Sequence, residues 1–420
     1  MYKDYVIAVS FVDYLADKSG VAKVLMAHQQ MYNANGISYV DLFSVKKNVC
    51  HDRIMLFCKF GLIIDGEFKG IFQMSQIIHM LYRWEKDGHR LLDIHLHHLI
   101  YTNINVVKEL LKACPDTPIK IYLHDYYNAC TGYTLMKNKE SYCGGRGFAD
   151  ETCADCQFKA VNKRVQPLIH QIYKENIKRI TFVSPSQATK EIFLNFHSEY
   201  ADNAIVIPHQ KYTKHYKNNL DLLSEDETIK VAFLGMPMKH KGWDVWKELV
   251  NQFSSCGYEF TVFNSSDDDY EGMKKVKIGF SKENLNAMTD ALRKYKVHVV
   301  LLWAIWPETY SYTCFEAFSA NAFIITNKIS GNIADVVKKN GNGIVLTSEE
   351  ELRHLFADKK ELCRMINDFR AKSVGGPDGL EENDEIVRLT LQGAAESVIN
   401  DSSKPINLPL LWILNKIYRR

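Results

Sequence analysis

No run of 18 consecutive apolar residues occurs anywhere in the 420-residue chain, so a membrane-spanning helix is not expected. Charge of one sign is equally scarce. The 52 basic and 50 acidic residues leave a formal net charge of +2, and no overall field draws the protein to nucleic acid or another polyanion. The opening residues Met1-Tyr2-Lys3-Asp4-Tyr5 run straight into Val6-Ile7-Ala8-Val9-Ser10, without the basic segment, apolar core or small-residue cleavage site of a signal peptide. The expectation is a cytoplasmic protein. Internal repeats and low-complexity tracts are also lacking. In a reducing compartment the 10 cysteines are expected as thiols or metal ligands rather than disulfides.

What is present is a globular composition, 46% hydrophobic, on a chain long enough for two domains that each bury their own core. Short apolar runs alternate with helical patterns throughout, the signature of βαβ units and parallel sheets. One series of strands is expected near residues 4–10, 37–45, 92–99, 119–124, 179–184 and 203–207. A second is expected at 229–234, 258–264, 276–279, 297–303, 322–326 and 343–346. The fold class is therefore α/β, with two Rossmann-like domains facing across a cleft. The divisions are an amino-terminal domain over 1–210 with an insertion at 126–160, a polar linker at 211–228, a carboxy-terminal domain over 229–375 and a helical tail over 376–420. In open α/β sheets ligands bind at the carboxyl ends of strands, so the residues there are the first candidates.

Glu308 and Glu316 stand either side of seven residues in Trp306-Pro307-Glu308-Thr309-Tyr310-Ser311-Tyr312-Thr313-Cys314-Phe315-Glu316, a spacing that fits a loop feeding a helix. A carboxylate before the helix can accept from sugar hydroxyls, one in its first turns can chelate a ribose diol, and the amides of the helix start suit a diphosphate. Earlier in the same half, strand 229–234 ends in Gly235-Met236-Pro237-Met238-Lys239-His240-Lys241-Gly242-Trp243. A lysine on such a strand-to-helix turn can neutralise a departing diphosphate.

These two segments resemble the E-x7-E donor loop and the G-R-x-x-x-x-K-G turn of retaining GT-B glycosyltransferases of family 4, in the chain order that family shows. The resemblance spans nearly the whole chain and is strongest over 229–346. It implies that Glu308 contacts donor sugar hydroxyls, Glu316 holds the ribose, Ser311, Tyr312 and Thr313 offer amides to the diphosphate, Gly235 opens the donor turn and Lys241 stabilises the leaving group. Met236 stands where the family usually has arginine, so Lys239 or His240 is left to supply a second charge. Thr309 and Ser311 replace frequent glycines, which implies a narrower pocket, and Asn321 replaces another at a position where Asn tolerates positive φ. Gly20 is similar to the glycine of the family's first strand-to-helix loop, where backbone approaches donor or acceptor. His124, followed by Asp125, resembles the family's cleft histidine, with Asp125 expected to orient the loop.

After that pair come Cys130, Cys143, Cys153 and Cys156, spaced C-x12-C-x9-C-x2-C. Four thiolates with one C-x2-C pair suit a structural tetrahedral zinc, and four buried thiols are the alternative. No cofactor is expected to be needed for catalysis. Asp267-Asp268-Asp269 reads as a solvated turn, His95, His97 and His98 as structural, and Ser186 as a helix cap or a ligand. The implied partners are a nucleotide-diphosphate sugar and a glycan or polyprenyl-diphosphate-linked acceptor in bacterial surface-polysaccharide assembly. The apolar, basic-ended residues 405–420 are expected either to touch the membrane interface or to pack back on the body. The rival expectation is a non-catalytic GT-B subunit that stabilises a partner.

Overall fold

The computed structural model describes residues 1–45, 58–148, 151–214, 221–279, 284, 286–372, 377–394 and 398–401. The chain divides into two compact units: residues 1–209 with 382–420, and residues 210–381. Residues 405–420 and the centre of the 211–228 stretch lie outside the described residues.

The first unit is built on strands β1 (Asp4–Ser10), β2 (Ile37–Ser44), β3 (Phe60–Ile64), β4 (Glu67–Phe72), β5 (Arg90–Leu96) and β6 (Ile119–Tyr122). A short hairpin of β7 (Met136–Lys137) and β8 (Ser141–Tyr142) follows, then β9 (Ile180–Ser184) and β10 (Ala204–Val206). The main sheet has the order β10-β9-β6-β5-β1-β2-β3-β4. Its strands are parallel from β10 to β2, while β3 and β4 add antiparallel on the edge. Helices α1 (Gly20–Ala34), α2 (Met74–Lys86), α3 (Ile104–Ala113), α4 (Lys159–Asn176) and α5 (Gln187–Phe196) connect them. The strand order reverses between β1 and β5, which puts the loops after those strands at the crevice where such sheets bind ligands.

The second unit contains β11 (Gln210–Lys214), β12 (Ile229–Leu234), β13 (Tyr258–Asn264), β14 (Lys274–Lys277), β15 (Val299–Leu302), β16 (Phe323–Asn327), β17 (Gly343–Leu346) and β18 (Pro377–Glu382). Its helices are α6 (Trp243–Phe253), α7 (Ala287–Lys294), α8 (Tyr312–Ser319), α9 (Asn332–Asn340), α10 (Glu349–Ala357) and α11 (Lys359–Ala371). The six-stranded sheet runs β14-β13-β12-β15-β16-β17, all parallel, and β11 pairs with β18. In chain order that is 3-2-1-4-5-6, the doubly wound nucleotide-binding order, with its switch point between β12 and β15. These central strands are near-continuous apolar runs because helices cover both faces. α6 shows the matching pattern, burying Val245, Trp246, Leu249, Val250 and Phe253 on one face while its other residues meet water.

The last described stretch belongs with the first unit. Helix α12 (Glu385–Gly393) buries Ile386, Val387 and Thr390. Thr390 donates to Asp93 at 3.1 Å on β5 and shares a 2.7 Å hydrogen bond with Tyr32 of α1. Asp93 also pairs with the buried Lys120 of β6. Ile399 joins the core beside α2 and α3, and the Asn400 amide donates to the Ala113 carbonyl at 2.8 Å. The sequence pattern sets 376–420 apart as a tail, whereas its described part from 382 onward completes the amino-terminal unit.

Candidate functional site

The turns after β12 and β15 flank the switch point of the second sheet, and they contain the two motifs picked out by spacing. After β12, Gly235 takes φ 89°, and a Cβ there would lie 3.8 Å from Lys241 Nζ and 3.9 Å from Thr313 Cγ2. Gly235, Lys241 and the start of α8 therefore meet in one place. The turn tightens as a 3-10 segment at Lys239–Lys241 and ends at Gly242, φ 81°, which opens α6. A Cβ on Gly242 would fall 2.1 Å from the Trp303 carbonyl oxygen, so only glycine lets this turn pass the end of β15. The Ile305 amide donates to the His240 carbonyl at 2.9 Å and locks the two loops together.

Glu308 sits on the second loop. Trp306 donates its indole N–H to Glu308 Oε1 at 3.0 Å. Burial raises the Glu308 carboxyl above the ordinary 4.5, with Lys241 and the Trp306 N–H acting the other way. Its backbone is fixed from a third loop: Glu308 bridges to Gly331, and the Asn332 amide donates to the Glu308 carbonyl at 2.8 Å. The neighbouring Cys314 thiol is pushed up by burial and then by Glu308.

Ser311 caps α8, its hydroxyl accepting from the Cys314 amide at 3.3 Å and meeting Thr313 Oγ1 at 3.0 Å. Tyr312 and Thr313 form the first turn of the helix. Glu316 lies one turn further on, buried, with Thr289 donating to its carbonyl at 3.3 Å. Asn321, after the helix, adopts φ 57° as its side chain allows.

The His240 pKa is held below the ordinary 6.5. Burial, reinforced by Lys241, lowers it to about 4, and its ring packs edge-on against Trp306 at 5.8 Å. Lys239 is exposed, as are Met236 and Met238. Asp267, Asp268 and Asp269 are exposed, with Asp267 paired to Lys277, as a solvated turn predicts.

The remaining candidates lie in the first unit. Gly20 opens α1 with no positive φ, and a Cβ placed on it would have no heavy atom within 4 Å, so its backbone does not require glycine. His124 follows β6 and stacks on Tyr122 and His97, its Nε2 2.9 Å from His97 Nδ1. Burial, before the neighbouring histidines, holds it well below 6.5. Asp125 orients its loop, accepting from the Tyr127 amide at 2.8 Å and pairing with His98 at 2.9 Å. Ser186 is a helix cap, accepting from the Thr189 amide at 3.2 Å.

Cys130, Cys143, Cys153 and Cys156 are all partly buried. Cys130 Sγ accepts from Asn162 Nδ2 at 3.1 Å and from the Gly132 amide at 3.3 Å. Among the described residues, the ligand atoms that come within 4.8 Å of one another in a group of three belong to His28, His95 and His97, not to these cysteines.

Sequence reasoning assigns no roles to Gly331, Trp306 or His28. The dipeptide Gly331-Asn332 after β16 is the available signal for the first, since glycine at a strand end marks close backbone approach. Nothing in the spacing links Trp306 to Glu308 or His28 to the histidines of β5.

The sequence matches no family model and no curated protein. Solved structures resemble it along nearly its full length. Sucrose-phosphate synthase from Thermosynechococcus elongatus aligns over 93% of this chain and 97% of its own, at 12% identity and a TM-score of 0.51. The catalytic domain of starch synthase IV from Arabidopsis thaliana, bound to ADP and acarbose, aligns over 94% and 99% at 12% identity and 0.51. Anabaena HepE in complex with UDP-glucose aligns over 93% and 98% at 9% identity and 0.51. These likenesses establish the fold as GT-B, with two Rossmann-like domains.

Proposed function

We propose that the protein is a retaining glycosyltransferase of the family-4 type, which moves a sugar from a nucleotide-diphosphate sugar to a glycan or polyprenyl-diphosphate-linked acceptor in bacterial surface-polysaccharide assembly. The observation that carries this reading is the meeting of Gly235, Lys241, Glu308 and the start of α8 at the switch point of the 3-2-1-4-5-6 sheet. Solved neighbours of the same fold carry UDP-glucose in one case and ADP in another.

On this reading the α8 amides of Tyr312 and Thr313 receive the diphosphate, Glu316 takes the ribose diol and Lys241 opposes the charge that grows on the leaving group. Glu308, held by Trp306 and Gly331, accepts from the donor sugar's hydroxyls. No side chain acts as nucleophile: the acceptor hydroxyl attacks from the face the diphosphate leaves, and its proton passes to the departing phosphate. Catalysis needs no metal because a lysine and helix amides supply the positive charge. The amino-terminal unit receives the acceptor, with His124 as the hydrogen-bonding group for the sugar and Gly20 at the start of α1.

No helix among the described residues is long and apolar enough to cross a membrane. We assign contact with a lipid-linked acceptor to residues 405–420 for their apolar sequence with a basic end. The test is a thermal-shift and hydrolysis screen against UDP-, GDP-, dTDP- and ADP-sugars beside Lys241→Ala and Glu316→Ala. Stabilisation by one nucleotide class, absent in both variants, supports the reading. Silence toward every donor in folded protein refutes it and favours a non-catalytic subunit. The anomeric configuration of the product, read by NMR, tests retention.

A further inference from the structure

We propose that His28, His95 and His97 form a metal-binding centre inside the first unit, taking a borderline divalent cation such as zinc(II) through one ring nitrogen each. His28 comes from α1, His95 from β5 and His97 from the turn just after β5, so the centre stands at the β1/β5 reversal of the sheet. One nitrogen of each ring lies within 4.8 Å of the others, and all three residues are buried. A tetrahedral zinc holds imidazole nitrogens about 3.3 Å apart, so the rings need to close by at most about 1.5 Å.

Three further observations point to an occupant. His28 is only 5% exposed, yet its Nδ1 is buried with no hydrogen-bond partner. A cavity of about 10 Å³ lies against it, lined also by Tyr122, His209 and Asn383 and not by His95 or His97, with room for about one water. The outer groups are placed as in histidine metal sites, where the second ring nitrogen is held by a neighbour. His97 is bonded at both nitrogens, to Tyr39 OH at 3.0 Å and to His124 Nε2 at 2.9 Å, so a metal on one leaves the other to fix the ring. His95 has Tyr32 OH and Tyr122 OH each at 3.4 Å.

The nearest carboxylate on His95, Asp93 at 3.8 Å, is already paired with Lys120, and a set of neutral imidazoles favours zinc, copper or nickel over magnesium or calcium. This centre is independent of the donor site and of whether the protein transfers sugar.

The experiment is to strip the full chain with chelator, reload it with zinc(II) or cobalt(II), desalt, and measure metal per chain together with the cobalt spectrum. The expected result is about one equivalent, with d–d bands of nitrogen ligation, and affinity at least about a hundredfold weaker in His28→Gln and His95→Gln. X-ray absorption of the wild-type zinc form reads the ligand shell even if those variants fail to fold, and a nitrogen shell is expected. Failure to retain metal overturns the proposal. So does a sulfur shell that disappears in Cys156→Ser and survives in His28→Gln, since that places the ion in the cysteine insertion.

Discussion

Gly331 is the residue that sets the height of Glu308. At φ 59° a Cβ on Gly331 would lie 2.6 Å from the Glu308 carbonyl oxygen, and the next amide, that of Asn332, donates to the same oxygen at 2.8 Å. Gly331→Ala must therefore push the glutamate backbone away from its place. With misplacements of about 1 Å costing roughly a hundredfold in rate, kcat/KM for the donor should fall by about that factor while far-UV circular dichroism stays native. A variant with unchanged kinetics would remove Glu308 from the site.

Trp306, after burial and Lys241, bears on the charge of that carboxylate. Burial already raises the Glu308 pKa above 4.5. The folded protein then holds the proton more tightly than the unfolded chain, so this residue's contribution to stability is greatest in acid and declines as pH rises from 4.5 through the folded value. On the proposed function activity has the opposite sign, since Glu308 would accept from sugar hydroxyls as a carboxylate. Trp306→Phe deletes the N–H that favours the carboxylate, and the acid limb of kcat/KM should move to higher pH. An unmoved limb would mean that another group sets it.

Lys241 and its neighbour His240 should behave differently. On the proposed function Lys241 opposes the charge of the diphosphate, and Lys241→Ala should lower kcat by about 10²–10³. His240 is neutral, at about 4, so His240→Gln should leave the rate flat between about pH 6 and 8. A rate step near neutral pH that vanishes in His240→Gln would overturn the assignment of neutrality.

Gly242→Ala tests the turn itself. Both the φ of 81° and the 2.1 Å approach to the Trp303 carbonyl oppose a side chain there. Strained backbone costs about 1–3 kcal/mol, so a lower melting temperature is expected in differential scanning calorimetry, together with loss of donor response. A melting temperature equal to wild type would show that the turn adapts freely.

The parallel strands of both sheets are legible in the sequence because each is an apolar run set between helical patterns, as in Ile229–Leu234 and Tyr258–Asn264. The β3–β4 hairpin escapes that pattern, although Asp65-Gly66 at its turn, both with positive φ, is a hairpin signal. In the candidate donor site, Lys241, Glu308 and Glu316 stand out in the sequence because spacing along the chain reflects one turn or one helix. Trp306, Gly242 and Gly331 act through contacts with a neighbouring side chain or with another loop, and a single sequence carries little trace of such contacts. The histidines divide in the same way. Alternation places His95 and His97 on one face, while His28 arrives from α1 and completes the group only in three dimensions.

The most direct test of the donor site is calorimetric titration of UDP, GDP, dTDP and ADP into wild type, Lys241→Ala, Glu316→Ala and His124→Ala, each verified as folded. The account predicts that one nucleoside diphosphate binds wild type and His124→Ala alike, and binds the other two at least about tenfold more weakly. Equal affinity across all four proteins, or loss only in His124→Ala, would contradict it.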